Sequence, residues 1–242
     1  MATGAVNGFA PSSNGLGFDN AFPHEPVLSV TVPMYGKVTL GDAHNGLCGG
    51  MAYAVRDFFE QSTRPPAGGS QPPAEDTPLF RYLVSRLVDS FDLPGGVMKY
   101  FAWMNLPDGD DAIDIFGQRF VLRRGVLWLT IVQELPKIRA DIDAGRLSPL
   151  GLVTVRSHSP ADLGANHQVL AYRYTVDDDE RLTLAIYDPN QDGTDDVTVS
   201  LSLRNPGSAT TIDHTVAVPH PIRGFFRTRY ASPDPGRLGS WR

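Results

Sequence analysis

Within this chain of 242 residues, the strongest candidate nucleophile is Cys48, the only cysteine. It follows Asn45, Gly46 and Leu47 and opens a run in which Met51, Ala52, Val55, Phe58 and Phe59 recur at helical spacing. The thiol is therefore expected in the first turn of a core-facing helix, where unpaired amides and the positive end of the dipole favour a thiolate. Gly46, Gly49 and Gly50 would let a substrate approach the backbone, and the Cys48 amide could donate to a developing oxyanion.

Such a nucleophile needs a base in reach. His167 opens the run Gln168 to Val176, and Asp188 closes the next, Arg181 to Tyr187, with the acidic stretch Asp177 to Glu180 between them. If that stretch is a hairpin turn, the end of the second strand returns beside the start of the first. Asp188 then lies next to His167, where a carboxylate fixes the imidazole tautomer and stabilises its cation. Each residue also has an ordinary reading: a lone cysteine as a small buried hydrophobe, a strand histidine bonded to solvent or backbone, an aspartate as a turn former.

The other histidines are less favourably placed. His24, His158, His214 and His220 read as surface residues, while His44, just before the cysteine, could wall the site together with Asn45 and Gly49. Asp188, Asn190, Asp192, Gly193 and Asp196 match the start of a calcium loop, but Val199 stands where the bidentate glutamate belongs, so a polar turn is the simpler account. The sequence offers no zinc-ligand spacing, no phosphate loop and no dinucleotide fingerprint, and no cofactor is expected.

The elements carrying these residues divide the chain. Residues 1–26, rich in Gly, Asn, Ser and Pro, read as a flexible arm. A domain over 27–232 follows, then a tail, 233–242. In its first half, 27–145, a short strand at Val27 to Val32 precedes the cysteine helix. A Pro/Gly-rich loop at 62–78 separates it from helices at Leu79 to Phe91 and Gly96 to Met104, themselves separated by Leu93 to Gly96. From 146 to 232 the period changes to β-branched and aromatic runs at 150–155, 167–176, 181–188, 196–203 and 222–230, an antiparallel sheet. The last, "IRGFFRTRY", reads as a strand with alternating solvated arginines. The fold class is α+β: a helical half and a β half.

A hydrophobic fraction of 41% with 20% charged residues suits a folded globular chain. The formal charge of -6 argues against nucleic acid or an anionic membrane as partner, and no apolar run reaches the ~18 residues of a span. The N-terminus has no Sec-type signal, and one cysteine fits a reducing compartment, so the cytoplasm is the default location, with non-Sec export left open. Oligomeric state is not written in the chain.

"GLCGGM" at a helix start, "NHQVLAY" opening a strand and "YDPN" closing the next together resemble the papain-like cysteine peptidases, closest to their bacterial C39-like branch. "LPKIRADIDAGRLSPLGLVTV", Leu135 to Val155, is similar to the helix and strand that precede the histidine strand there. His167 follows Cys48 by about 120 residues, against about 130 or more in papain-type enzymes. The resemblance implies a papain-like fold, a Cys48, His167, Asp188 triad, and peptide, isopeptide or amide substrates. It also implies a glutamine six residues before the cysteine, to complete an oxyanion hole; Asp42 stands there, so Asn45 or His44 would have to donate. Alternatives are a non-catalytic domain of this fold that binds a peptide or small ligand, and a transglutaminase-like acyltransferase.

Overall fold

The computed structural model describes residues 1–22, 29–32, 36–39, 47–65, 70–191 and 193–233. The chain opens with a strand, β1 (Ala2–Ala5), and one helical turn, α1 (Pro11–Asn14). The paired strands β2 (Ser29–Val32) and β3 (Gly36–Thr39) precede the helices α2 (Cys48–Glu60), α3 (Pro78–Ser90) and α4 (Gly95–Met104). A hairpin, β4 (Asp111–Ile115) and β5 (Gln118–Arg123), leads to α5 (Val126–Trp128), which continues through a π-helical segment, Leu129–Glu134, into α6 (Leu135–Asp143). The remaining strands are β6 (Ser148–Val153), β7 (His167–Val176), β8 (Arg181–Tyr187), β9 (Thr198–Ser202), β10 (Asp213–His214) and β11 (Gly224–Arg227), with a 3-10 turn at Pro160–Ala165.

One antiparallel sheet organises the molecule, in the order β10-β9-β8-β7-β6-β11, and β1 also pairs with β7. Residues 167–171 of β7 pair with β6, and residues 173–176 of the same strand pair with β1. Helix α2 lies against α3 and β7, so the N-terminus of α2 meets the start of the strand beginning at His167. Met51, Val55 and Phe58 of α2 share one apolar core with Val169, Ala171, Leu184 and Ile186 of the sheet. Two glycines permit that approach. A methyl group on Gly50 would lie 2.1 Å from the Leu83 carbonyl oxygen of α3, and one on Gly49 would lie 2.3 Å from Ser90 Oγ and 2.8 Å from Gln168 Nε2. The space at both is therefore filled by the protein's own interior.

Several expectations are corrected. The first 22 residues are not a loose arm: β1 joins the sheet, and Val6, Phe9, Leu16, Phe18 and Phe22 are buried. Burying each large apolar side chain contributes roughly 1.5–3 kcal/mol, which outweighs the polar turn formers around them. Pro78 is not loop but the first residue of α3, where a missing amide costs nothing, and the Thr77 hydroxyl caps it by accepting from the Phe80 amide at 3.2 Å. Gly95 and Gly96 begin α4 rather than separating helices. The helical half also contains the β4–β5 hairpin, exposed on both faces with Phe116 at its tip. Nor are the arginines of 222–230 uniformly solvated. Arg223 is 10% exposed, bonded to Asp108 and to the carbonyls of Met104, Leu106 and Val155, and Arg227 pairs with Asp141.

Candidate active site

Cys48 is the first residue of α2 and is 7% exposed. The start of that helix is held from outside it. Asn20, in the N-terminal segment, accepts the Leu47 amide on Oδ1 at 2.6 Å and donates from Nδ2 to Asn190 Oδ1 at 3.1 Å, while its own amide bonds the Pro189 carbonyl at 2.9 Å. Since Leu47 N–H can only donate, the carboxamide oxygen must face it and the NH2 must face Asn190. One side chain thus ties the cysteine helix to the turn that follows Asp188. Leu47 is buried, so Asn20→Ala is expected to leave its amide unsatisfied and to cost about 1–3 kcal/mol in a denaturant titration.

The β7–β8 hairpin sets the other two residues. Its strands run antiparallel from Val176↔Leu182 to Leu170↔Tyr187, with one bulge near Ala171, so Asp188 returns beside the first residues of β7. His167 Nε2 lies 2.7 Å from Asp188 Oδ1, with side chains 15% and 3% exposed. The Asn190 amide donates to the same oxygen at 2.9 Å. Cys48 is close enough to act on the ring electrostatically, and with Nε2 committed to the carboxylate, Nδ1 is the nitrogen left to serve the sulfur.

The charges follow from this arrangement. Burial opposes the imidazolium, but the Asp188 charge and hydrogen bond, with a further contribution from Cys48, raise the His167 pKa well above its ordinary value. Burial likewise works against the Asp188 carboxylate, yet His167, His214 and the Asn190 amide hold its pKa far below the usual carboxylate range. A carboxylate paired with an imidazolium is therefore the favoured state of Asp188 and His167. Tyr100 lies close by, its hydroxyl 3.4 Å from the His167 carbonyl; burial first, then Cys48, keeps that phenol protonated.

A cavity of 260 Å³ opens beside His167, lined among others by Asn20, Leu152, Thr154, Asn190, Val218 and His220. Among the described residues no Asp, Glu, Lys or Arg lines it, and His167 is the charged group at its edge.

Comparison of the chain with protein-family models, with curated proteins and with solved structures finds no match.

The structure thus brings Cys48, His167 and Asp188 together. Asn45, His44 and Asp42 lie outside the described residues, as does His24. Gly49 is buried, with Ser90 and Gln168 where its side chain would be. Of the calcium-loop residues, Asp192 is outside the described residues, and Asp188 turns both carboxylate oxygens toward imidazoles rather than outward with Asn190 and Asp196. Among the described residues no three His, Cys, Asp or Glu side chains gather as a metal site, and no helix is long and apolar enough to cross a membrane.

Two residues of the site escaped the sequence reading. Asn20 carried no signal, because it acts across the fold. His214, read as a surface residue, has a side chain only 3% exposed, with Nε2 3.4 Å from Asp188 Oδ2. Here a signal existed: Ile212, His214 and Val216 alternate with polar residues, which puts the histidine on an inward strand face.

Proposed function

We propose that this chain is a cysteine-dependent hydrolase of peptide, isopeptide or amide bonds, built on a papain-like α+β fold. The supporting observation is that one largely buried imidazole bonds a carboxylate at 2.7 Å through Nε2, while a helix-terminal thiol lies near enough to act on the same ring. The motifs around the three residues point the same way, and the single unpaired thiol suits a reducing compartment.

In this reading the Cys48 thiolate adds to the substrate carbonyl carbon, and the C=O electron pair moves onto oxygen. The Cys48 backbone amide, at the helix start, would donate to that charge. As the intermediate collapses the C–N bond breaks, and the leaving nitrogen takes the proton from His167 Nδ1. The product amine departs and a thioester remains. Neutral His167 then removes a proton from water, the resulting hydroxide attacks the thioester, and Cys48 leaves as thiolate while the ring regains its charge. Asp188 keeps its charge throughout and holds the ring. The cavity beside His167 would receive an apolar or neutral polar part of the substrate.

Iodoacetamide tests the ion pair without knowledge of the substrate. Cys48 should label rapidly at about pH 6.5, where an ordinary thiol reacts slowly. His167→Ala should lose that reactivity, and a library of peptides and primary amides should show turnover abolished by Cys48→Ala. Slow labelling in parent and variant alike, with the fold intact, would sink the hydrolase reading and leave a ligand-binding domain.

A further inference from the structure

The buried carboxylate has two imidazoles, and the hydrolase mechanism uses only one. Asp188 Oδ1 is taken by His167 and the Asn190 amide; Oδ2 faces His214 Nε2 at 3.4 Å. Both side chains of this second contact are 3% exposed, so water does not screen it well. His214 Nε2 is buried with no hydrogen-bond partner of good geometry among the described residues, and Asp188 Oδ2 is the acceptor it faces.

The opposite ring nitrogen fixes what His214 can do. Nδ1 lies 3.1 Å from the Val216 amide and 2.8 Å from the Val216 carbonyl. It accepts from the amide when unprotonated and donates to the carbonyl when protonated, but cannot do both at once. In the neutral form that accepts the amide, and in the doubly protonated form, Nε2 carries a proton directed at Asp188. The remaining tautomer would aim a lone pair at a carboxylate, which is repulsive. Of the neighbouring acids, Asp213 is engaged by Arg181 at the surface, and Asp196 meets this segment through its carbonyl, which accepts from Thr215. Among the described residues Asp188 is thus the carboxylate His214 faces.

We infer that His214 is a positioning residue of the triad: its Nε2–H holds Asp188 Oδ2, which orients the carboxylate so that Oδ1 meets His167. The inference rests on the hydrolase reading for its catalytic consequence, but not for its geometry. It also connects the triad to the cavity wall, because Val218, Pro219, His220 and Ile222 follow His214 directly in the chain. An occupant pressing on that wall acts on the same segment that holds Asp188.

The test compares His214→Gln with His214→Asn. The glutamine amide reaches about as far as Nε2 and can still donate to Asp188; the asparagine amide reaches only as far as Nδ1 and can keep the Val216 contact alone. Cys48 labelling by iodoacetamide at neutral pH should slow by about ten- to a hundredfold in His214→Asn, by analogy with the loss of partners that orient metal-bound histidines, and return close to parent in His214→Gln. Melting temperatures of the two variants are recorded alongside. Equal labelling in parent and His214→Asn, or equal slowing in the two variants with equal loss of melting temperature, would mean a structural role only and overturns the inference. Long-range proton–nitrogen correlation of the parent gives a second readout. A protonated His214 Nε2 is expected, and an unprotonated one overturns the inference even if the thiol is reactive. An inert parent thiol, by contrast, sinks the hydrolase reading, and the correlation spectrum still decides whether His214 donates to Asp188.

Discussion

On the proposed hydrolase function, Asp188→Asn is expected to lower amide turnover by about four orders of magnitude, because the partner of the imidazole can no longer fix its tautomer or charge. The side chain keeps its shape, so the loss reports chemistry rather than a cavity. Its cause is electrostatic: burial alone lowers the His167 pKa, and the Asp188 charge is the leading influence that reverses this. Without it the ring is neutral near neutral pH, and rapid iodoacetamide labelling of Cys48 is lost with it. Stability should change in a pH-dependent way. The raised His167 pKa contributes stability fully present below the unfolded value of about 6.5 and lost as pH rises through the folded one. The depressed Asp188 pKa contributes stability present above about 3.9 and lost on acidification through its folded value. These are two views of one interaction. The stability difference between parent and Asp188→Asn is therefore greatest between about pH 4 and 6.5 and shrinks on either side. Denaturant titrations across pH check this; a difference that does not vary with pH would contradict the ion pair.

The second large effect lies at the far end of the cysteine helix. Asp57 Oδ2 meets Arg86 Nε at 2.7 Å, and both side chains are essentially inaccessible to solvent. The Tyr82 hydroxyl donates to Asp57 at 2.8 Å and the Tyr230 hydroxyl at 2.5 Å, so α2, α3 and the segment after β11 converge on one carboxylate. Burial raises the Asp57 pKa, with Arg86 first and the two tyrosines pulling the other way. Asp57→Ala strands the Arg86 cation beside two unpaired phenols, with Asp89 as its remaining acidic partner. A loss of about 3–5 kcal/mol is expected in equilibrium unfolding. Replacing Asp57 and Arg86 together by apolar residues of similar volume should cost much less, since no charge is then left buried alone.

The candidate triad was legible because its parts are local. Cys48 was placed by the apolar spacing of the next twelve residues, and His167 and Asp188 by the ends of two runs joined through a four-residue acidic turn. A hairpin of this kind carries its own geometry, and β7 and β8 have almost the bounds their alternation suggested. Helices α3 and α4 were legible for the same reason. What failed was non-local. The N-terminal segment looked like a linker because its buried Phe9, Leu16, Phe18 and Phe22 have no regular period, and their burial depends on surfaces supplied by α2 and the sheet. The paired glycines read as room for a substrate but are room for α3 and Gln168.

The sequence by itself determined which residues could act and in what order the chain presents them, since hydrophobic period and turn chemistry are properties of short segments. Only the tertiary structure decided which polar groups hold them. Asn20 reaches the cysteine helix, and His214 reaches Asp188, across contacts that no local pattern encodes. The physical reason is that a buried donor or acceptor must find its partner wherever folding brings one, and the identity of that partner is fixed by packing rather than by sequence distance.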